Sequence, residues 1–458
     1  MLAHLSILQV IVPLMAAPLC LLLGKARLAW LFTLLVSGAS FVISALILEQ
    51  VMSSGTIIYE LGGWEAPWGI EYRIDQLNAL LLLIITAIST VVLFAAHTSI
   101  TQEIPENRQT LFYVLYLLSL AAMLGIVATG DAFNVFVFLE ISSLSAYALI
   151  ALGKDRRALW ASYQYLIMGT IGATFILIGI GLMYQMTGTL NMADLAERLP
   201  EVAQTRTVFT AFAFVIVGIC LKLAMFPLHL WLPNAYAYAP SIVTAFFAAT
   251  ATKVAVYLLI RFTFSVFGLS FSFTHLPLQL LFVVLGMLGI FIASTAAIYQ
   301  SNIKHLFAYS SVAQIGYMIV GFSLTSVTGL TATLLHLFNH ALMKGALFLA
   351  LAAVMYRIGG TQLSQFNGLG RQMPLTMAAI VIGGLSLIGV PLTVGFVSKW
   401  YLVLAVLETG WWPVAVLILL GSLLAVVYVW RIIEAAYFKP AATNGTTVKE
   451  APLSFLLP

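Results

Sequence analysis

Charge is what this sequence has least of. Only 8% of its 458 residues are Asp, Glu, Lys or Arg, against about 25% in an ordinary soluble domain. The net charge of +4 is small and dispersed along the chain, which argues against a nucleic-acid partner. Cysteine is nearly missing too. Cys20 and Cys220 lie far apart in apolar runs and offer neither a disulfide framework nor a metal-binding spacing. No loop is long enough for a soluble catalytic domain, and no Walker or Rossmann glycine motif is present. ATP-driven and dehydrogenase chemistry within this chain are therefore set aside, and no cofactor site is evident. Alternating ten-residue barrel strands are also absent.

What remains is apolar: 62% of residues are hydrophobic. Stretches of about twenty apolar residues, each able to cross a ~30 Å hydrocarbon core as a helix, recur almost from end to end. The expected class is an all-α polytopic membrane protein. Thirteen spans are predicted, near 5–23, 28–48, 76–98, 110–128, 132–152, 161–186, 208–226, 241–264, 276–299, 304–325, 328–357, 375–405 and 411–437. The closing "APLSFLLP" reads as the opening of a fourteenth, cut short. The first span lacks a basic n-region and a small-residue cleavage site, so it reads as a retained helix. Two spans are interrupted, the seventh by Pro227 and the twelfth by "GVPLTVG". With the amino terminus outside, the inner loops collect Lys25, Arg27, Arg108, Lys154, Arg156, Arg157, Lys304, Arg357, Arg371, Arg431, Lys439 and Lys449. The outer side receives only Arg73, Arg198, Arg206 and Arg261, a positive-inside bias.

Five charges are left inside the spans: Glu140, Lys222, Lys253, Lys344 and Lys399. Each costs about 2.5–3.5 kcal/mol at a helix centre, and such residues usually mark an ion path. Plainer readings exist. Glu140 can be a protonated acid bonded to a neighbouring helix, and Lys222, Lys253 and Lys399 can snorkel to an interface. For Lys222 the nearby Pro227 points elsewhere. A proline clashes with the carbonyl one turn back, that of Leu223, and freed carbonyls at membrane depth need a cavity or protein partners. His336, His340 and Lys344 follow at i, i+4 and i+8, one polar stripe covering about 12 Å of depth. Two histidines at this spacing can hold a metal, but a cation one turn on would repel it. Neutral imidazoles, which accept at one nitrogen and donate from the other, suit a proton relay; hydrogen bonds that merely tie helices together are the plainer alternative.

Residues 166–189 align with 338–361 at an offset of 172 (338 minus 166), matching Met183, Tyr184, Gly188 and Thr189 to Met355, Tyr356, Gly360 and Thr361. Paired interrupted helices in two halves point to inverted repeats, here two five-helix units. The expected division is 1–109 as an N-terminal three-helix region, 110–265 and 266–438 as the two repeats, and 439–458 as a cytoplasmic segment with the start of a last helix.

The motifs "GDAFNVFVFLEISSLSAYALIAL", "KLAMFPLHLWLPNAYAYAPS", "ATKVAVYLLIR", "IKHLFAYSSVAQIGYM", "HLFNHALMKGALF" and "GFVSKW" run in order over most of residues 70–430. They resemble the antiporter-like membrane subunits shared by respiratory complex I, membrane-bound hydrogenases and Mrp-type cation/proton antiporters, and the D-type member of the Mrp complexes most. The resemblance implies fourteen helices and two half-channels. It makes Glu140 the acid of the fifth helix, Lys222 its partner on the broken seventh and Lys253 a connecting residue. His336, His340 and Lys344 become a central axis, and Lys399 the gate of the broken twelfth helix. The family's twelfth-helix break commonly has two adjacent prolines, whereas this chain has Pro391 alone. The expected function is proton translocation in a multisubunit Na+/proton antiporter of the plasma membrane, with other membrane subunits as partners. A proton-pumping subunit of complex I or a hydrogenase is the alternative, and a structural subunit the second.

Overall fold

In the computed structural model, residues 4–274, 277–440 and 448–457 are described. Helices dominate: α1 (Leu5–Leu22), α2 (Ala26–Ser54), α3 (Gln76–Glu103), α4 (Glu106–Ala128), α5 (Ala132–Ala151), α6 (Arg157–Thr187), α7 (Met192–Val202), α8 (Arg206–Leu223), α9 (Trp231–Tyr238) and α10 (Ser241–Ile260). They continue with α11 (Leu269–Thr274), α12 (Leu278–Ile298), α13 (Ile303–Ser323), α14 (Val327–Ile358), α15 (Leu369–Gln372), α16 (Pro374–Ile388), α17 (Val394–Glu408), α18 (Trp412–Ile433) and α19 (Leu453–Leu456). Strands β1 (Ile57–Glu60) and β2 (Glu71–Ile74) form one antiparallel hairpin, with Ile57 opposite Ile74. Twelve helices among the described residues are long and apolar enough to span a membrane. The predicted 375–405 span is the broken pair α16 and α17. The protein is thus a polytopic helical membrane protein.

Local sequence sets the helix starts. Asp131 caps α5 by accepting from the Asn134 amide at 2.7 Å. Asn302 caps α13 through the Lys304 amide at 2.8 Å, and Ser326 caps α14 through Gly329 at 3.0 Å. Each satisfies a backbone donor that the first helical turn leaves unpaired.

The chain forms two compact units. The first comprises Met1–Leu93, Ile104–Leu223 and Thr250–Leu276, and the second Phe94–Glu103, Ala224–Ala249 and Pro277–Pro458. Each has a tight glycine crossing. A Cβ on Gly218 of α8 would lie 2.5 Å from the Gly172 carbonyl of α6, and one on Gly316 of α13 2.5 Å from that of Gly286 on α12. Small residues let apolar helices approach this closely.

The units also share a backbone signature. Asp131 bridges Asn191 in the first, and Asn302 bridges Gln362 in the second. The Ala132 amide donates to Leu190 O and the Met192 amide to Gly130 O; the Ile303 amide donates to Thr361 O and the Leu363 amide to Ser301 O. Every pair is offset by 171 (302 minus 131). Left-handed Gly188 and Gly359 close α6 and α14 at the same spacing. The backbone equivalence is therefore 171, one residue less than the offset of 172 taken from side-chain identities: Gly188 corresponds to Gly359 and not to Gly360.

The first break ends the helix at the residue whose carbonyl Pro227 is expected to displace, and a left-handed residue makes the turn. Helix α8 stops at Leu223, four residues before Pro227, and Ala224 then adopts φ 58. In the second break Leu392 adopts φ 73, beside Pro391. The cytoplasmic segment predicted from residue 439 lies outside the described residues over 441–447, and α19 is a single helical turn.

Candidate functional site

In the first unit, Lys222 occupies the last turn of α8 and is buried. Its ammonium donates to Ser143 Oγ on α5. Ser143 in turn donates to the Leu139 carbonyl at 2.6 Å. Glu140 sits three residues before Ser143 on the same helix, half-buried, and its charge acts on Lys222. The two are coupled through space, and neither takes part in the direct ion pairs found among the described residues. The ammonium thus rests on a hydroxyl with a carboxylate nearby. Ser143 was hidden in the run "ISSLS", where three serines look alike and only the fold selects one. Lys253, on α10, is fully buried and lies 3.4 Å from Thr252 Oγ1.

In the second unit, His336, His340 and Lys344 are all buried on α14. The two imidazoles lie parallel, with centroids 6.1 Å apart and planes 9° from each other. His336 Nδ1 meets Ser398 Oγ of α17 at 2.9 Å. Lys344 turns to α13, donating to the Phe307 carbonyl at 2.7 Å and to Ser310 Oγ, with the Phe307 ring 5.5 Å from its nitrogen.

Lys399 shows what the helix break does. It lies on α17, across the gap from the end of α16, and donates to the Leu387 and Ile388 carbonyls at 2.9 Å each and to Ser422 Oγ at 3.0 Å. The final carbonyls of a helix lack intrahelical donors and carry partial negative charge. Lys399 supplies the donors, so Pro391 alone suffices for a hydrogen-bonded break. Tyr317, which the sequence did not single out, links two predicted residues: its ring lies 4.5 Å from Lys399 Nζ and 5.9 Å from the His336 ring.

Several charged groups escaped the sequence reading because they sit at span ends and look like loop residues. Lys304 is buried and donates to the Ala239 carbonyl at 3.3 Å, with Glu103 acting on it. Glu103 itself accepts from the Ser241 amide at 2.9 Å and from Ser99 Oγ at 2.6 Å. Arg261 pairs with Asp75 at 2.7 Å.

Broken helices with buried lysines at the breaks, in two units of one template, define a class of polytopic membrane subunits. Residues 129–425 match the family described as NADH:quinone oxidoreductase/Mrp antiporter, transmembrane, and the chain belongs to that family. It is 42% identical to the N-type subunit of the NADH-quinone oxidoreductase of Desulforudis audaxviator, over 100% of this chain and 94% of that one. It is 31% identical to the D-type subunit of the Na+/H+ antiporter of Bacillus subtilis, over 94% of this chain and 86% of the relative. A chain of an archaeal membrane-bound sulfane sulfur reductase superposes with a TM-score of 0.90 at 34% identity, over 99% of this chain and 92% of that one. A chain of the Mrp complex from Dietzia superposes at 0.88 with 28% identity, over 97% and 82%.

Proposed function

We propose that this chain is a proton-translocating membrane subunit of a redox-driven respiratory complex. The observation that carries proton translocation is how the lysines are seated. Lys222, Lys344 and Lys399 rest on hydroxyl and carbonyl oxygens. A buried lysine clamped to a carboxylate is held charged, whereas one whose hydrogen bonds go to hydroxyl and carbonyl oxygens gives up its proton more readily, Lys222 doing so against the more distant charge of Glu140. In this reading Glu140, Lys222 and Lys253 serve the first half-channel, in 110–265. His336, His340, Lys344 and Lys399 serve the second, in 266–438.

The sequence motifs alone favoured the antiporter. Greater identity to the oxidoreductase relative than to the antiporter relative, 42% against 31%, moves the preference to a redox-driven assembly. The partners in this reading are other membrane subunits of that complex. The membrane is the plasma membrane, with the amino terminus outside as the Lys/Arg bias indicates.

Inverted vesicles carrying the assembled complex test this. Quinone-linked electron transfer should drive proton uptake, and Lys222→Ala or Lys399→Ala should reduce it at least tenfold. Proton movement driven by a sodium gradient without electron transfer would favour the antiporter. Full pumping by Glu140→Ala/Lys222→Ala would favour a structural role.

A further inference from the structure

Within the first unit, a cavity of about 410 Å³ lies at the Arg261 end of α10. Its rim carries the exposed Thr56, Arg73, Glu197 and Ser265, and its floor the buried Gly130 and Tyr257. The helix widens there into a π-helical turn over Arg261–Val266, a distortion often found at functional sites. Lys253, Tyr257 and Arg261 follow at i, i+4 and i+8 and share one face of the helix. Tyr257 therefore stands about 6 Å above Lys253 along the axis, between that lysine and the cavity.

Below the cavity one side chain uses its whole hydrogen-bonding capacity. Asn78 Nδ2 donates to the Val127 carbonyl and to Tyr257 Oη, the latter at 2.9 Å. Asn78 Oδ1 accepts from Arg261 Nη2 at 2.8 Å and from the Asp75 amide at 3.1 Å. The Tyr257 hydroxyl donates to the same Val127 carbonyl at 3.2 Å. Asp75 uses Oδ1 to cap α3, through the Leu77 amide at 2.9 Å, and Oδ2 to hold Arg261 at 2.7 Å. Arg261 thus fixes the orientation of Asn78 and lies over the Tyr257 ring at 5.3 Å, and Asn78 holds the Tyr257 hydroxyl against a carbonyl. Arg431 stands at nearly the same place in the repeat (431 minus 261 is 170), yet it donates to the Ile298 and Gln300 carbonyls. The latch belongs to the first unit.

We propose that this cavity is the aqueous terminal of the first unit's proton path, with Tyr257 as its relay and the Asp75–Arg261–Asn78 chain as its latch. This rests on the proton-translocating reading above. When the latch opens, the Tyr257 oxygen takes one proton from Lys253 Nζ, directly or through a water, and its hydroxyl releases one to a cavity water. The ammonium becomes an amine, the water becomes hydronium, and the hydroxyl is restored. The ligand of the cavity is water and its excess proton.

The test uses the assembled complex in vesicles. With Cys20 and Cys220 replaced by Ala, a cysteine at Ala193 or Tyr257 is probed with a membrane-impermeant thiol reagent. Labelling of both from the Arg73 side is expected; absence of labelling at position 257 while position 193 reacts overturns the terminal. Tyr257→Phe keeps the ring and removes the relay, and should lower redox-driven pumping at least fivefold. Arg261→Gln should change redox-driven pumping at least threefold when Tyr257 is present and add nothing to Tyr257→Phe, a coupling that an independent structural pair would not show; additive effects overturn the latch. If Lys222→Ala abolishes pumping while Tyr257→Phe pumps like the unmodified complex, this proposal fails alone. If Lys222→Ala pumps normally, the underlying reading fails with it.

Discussion

A lysine inside a membrane protein is informative mainly through what its ammonium touches. Lys222 touches Ser143 Oγ, so the serine is a second determinant of the site. A hydrogen bond to a charged group contributes about 1.5–3 kcal/mol, or roughly a tenfold or larger effect on a step that depends on it. Ser143→Ala should therefore slow redox-driven proton uptake about tenfold, while Ser143→Thr, which keeps the hydroxyl, should retain most of it. Equal rates for the two variants would remove Ser143 from the site. The same reasoning separates Glu140 from a direct partner: it acts on Lys222 at a distance, so Glu140→Gln should be milder than Lys222→Ala in the same assay.

The helix breaks are built from strained backbone as much as from proline. Ala224 and Leu392 hold left-handed conformations, φ 58 and 73, which disfavour an L-residue by about 1–2 kcal/mol. Ala224→Gly should therefore raise the thermal midpoint of the detergent-solubilised protein, whereas Ala224→Val should lower it. The second break depends on a close approach. A Cβ on Gly395 would stand 1.8 Å from the Ser386 carbonyl, so Gly395→Ala must push α17 away from α16 and take Lys399 off its acceptors. Expected are a stability loss of about 1–3 kcal/mol in the same melting experiment and impaired pumping. Hydropathy located both breaks, because an apolar run with proline or glycine at its middle is visible in the letters. The residue that turns the chain was not visible, since Ala and Leu carry no mark of positive φ. Glu103, Asp75 and Arg261 were missed for a related reason. A charge at a span end looks like a solvated loop residue until the fold supplies its partner.

At the scale of the molecule, one template serves both units. The bridges at Asp131–Asn191 and Asn302–Gln362 are the same construction 171 residues apart, and each begins at a capping side chain. Asp131→Ala and Asn302→Ala should each lose about 1 kcal/mol, the usual worth of a cap, and add when combined, as independent sites do. A strongly non-additive pair in chemical denaturation would contradict this. The tail is a separate element with its own pH dependence. The Glu450 carboxylate lies at the start of α16, accepting from Thr376 Oγ1 at 2.6 Å and the Leu375 amide at 2.8 Å. Arg357 holds its backbone carbonyl at 2.9 Å. Partial burial alone would raise its pKa, but the bonds from Thr376, Ala451 and Leu375 outweigh it and hold the group below its ordinary 4.5. A carboxyl that is more acidic when docked favours docking when ionised. The contribution of Glu450 to the attachment of residues 448–457 is then complete above pH 4.5 and is lost as the pH falls through the lowered value. Hydrogen exchange of the tail should show protection at neutral pH and its loss in acid. Glu450→Gln should reduce the protection at neutral pH and flatten its pH dependence; an unchanged profile would place the attachment on the other contacts of the segment, such as Arg357 with the Glu450 carbonyl and Gln372 with the Val448 amide.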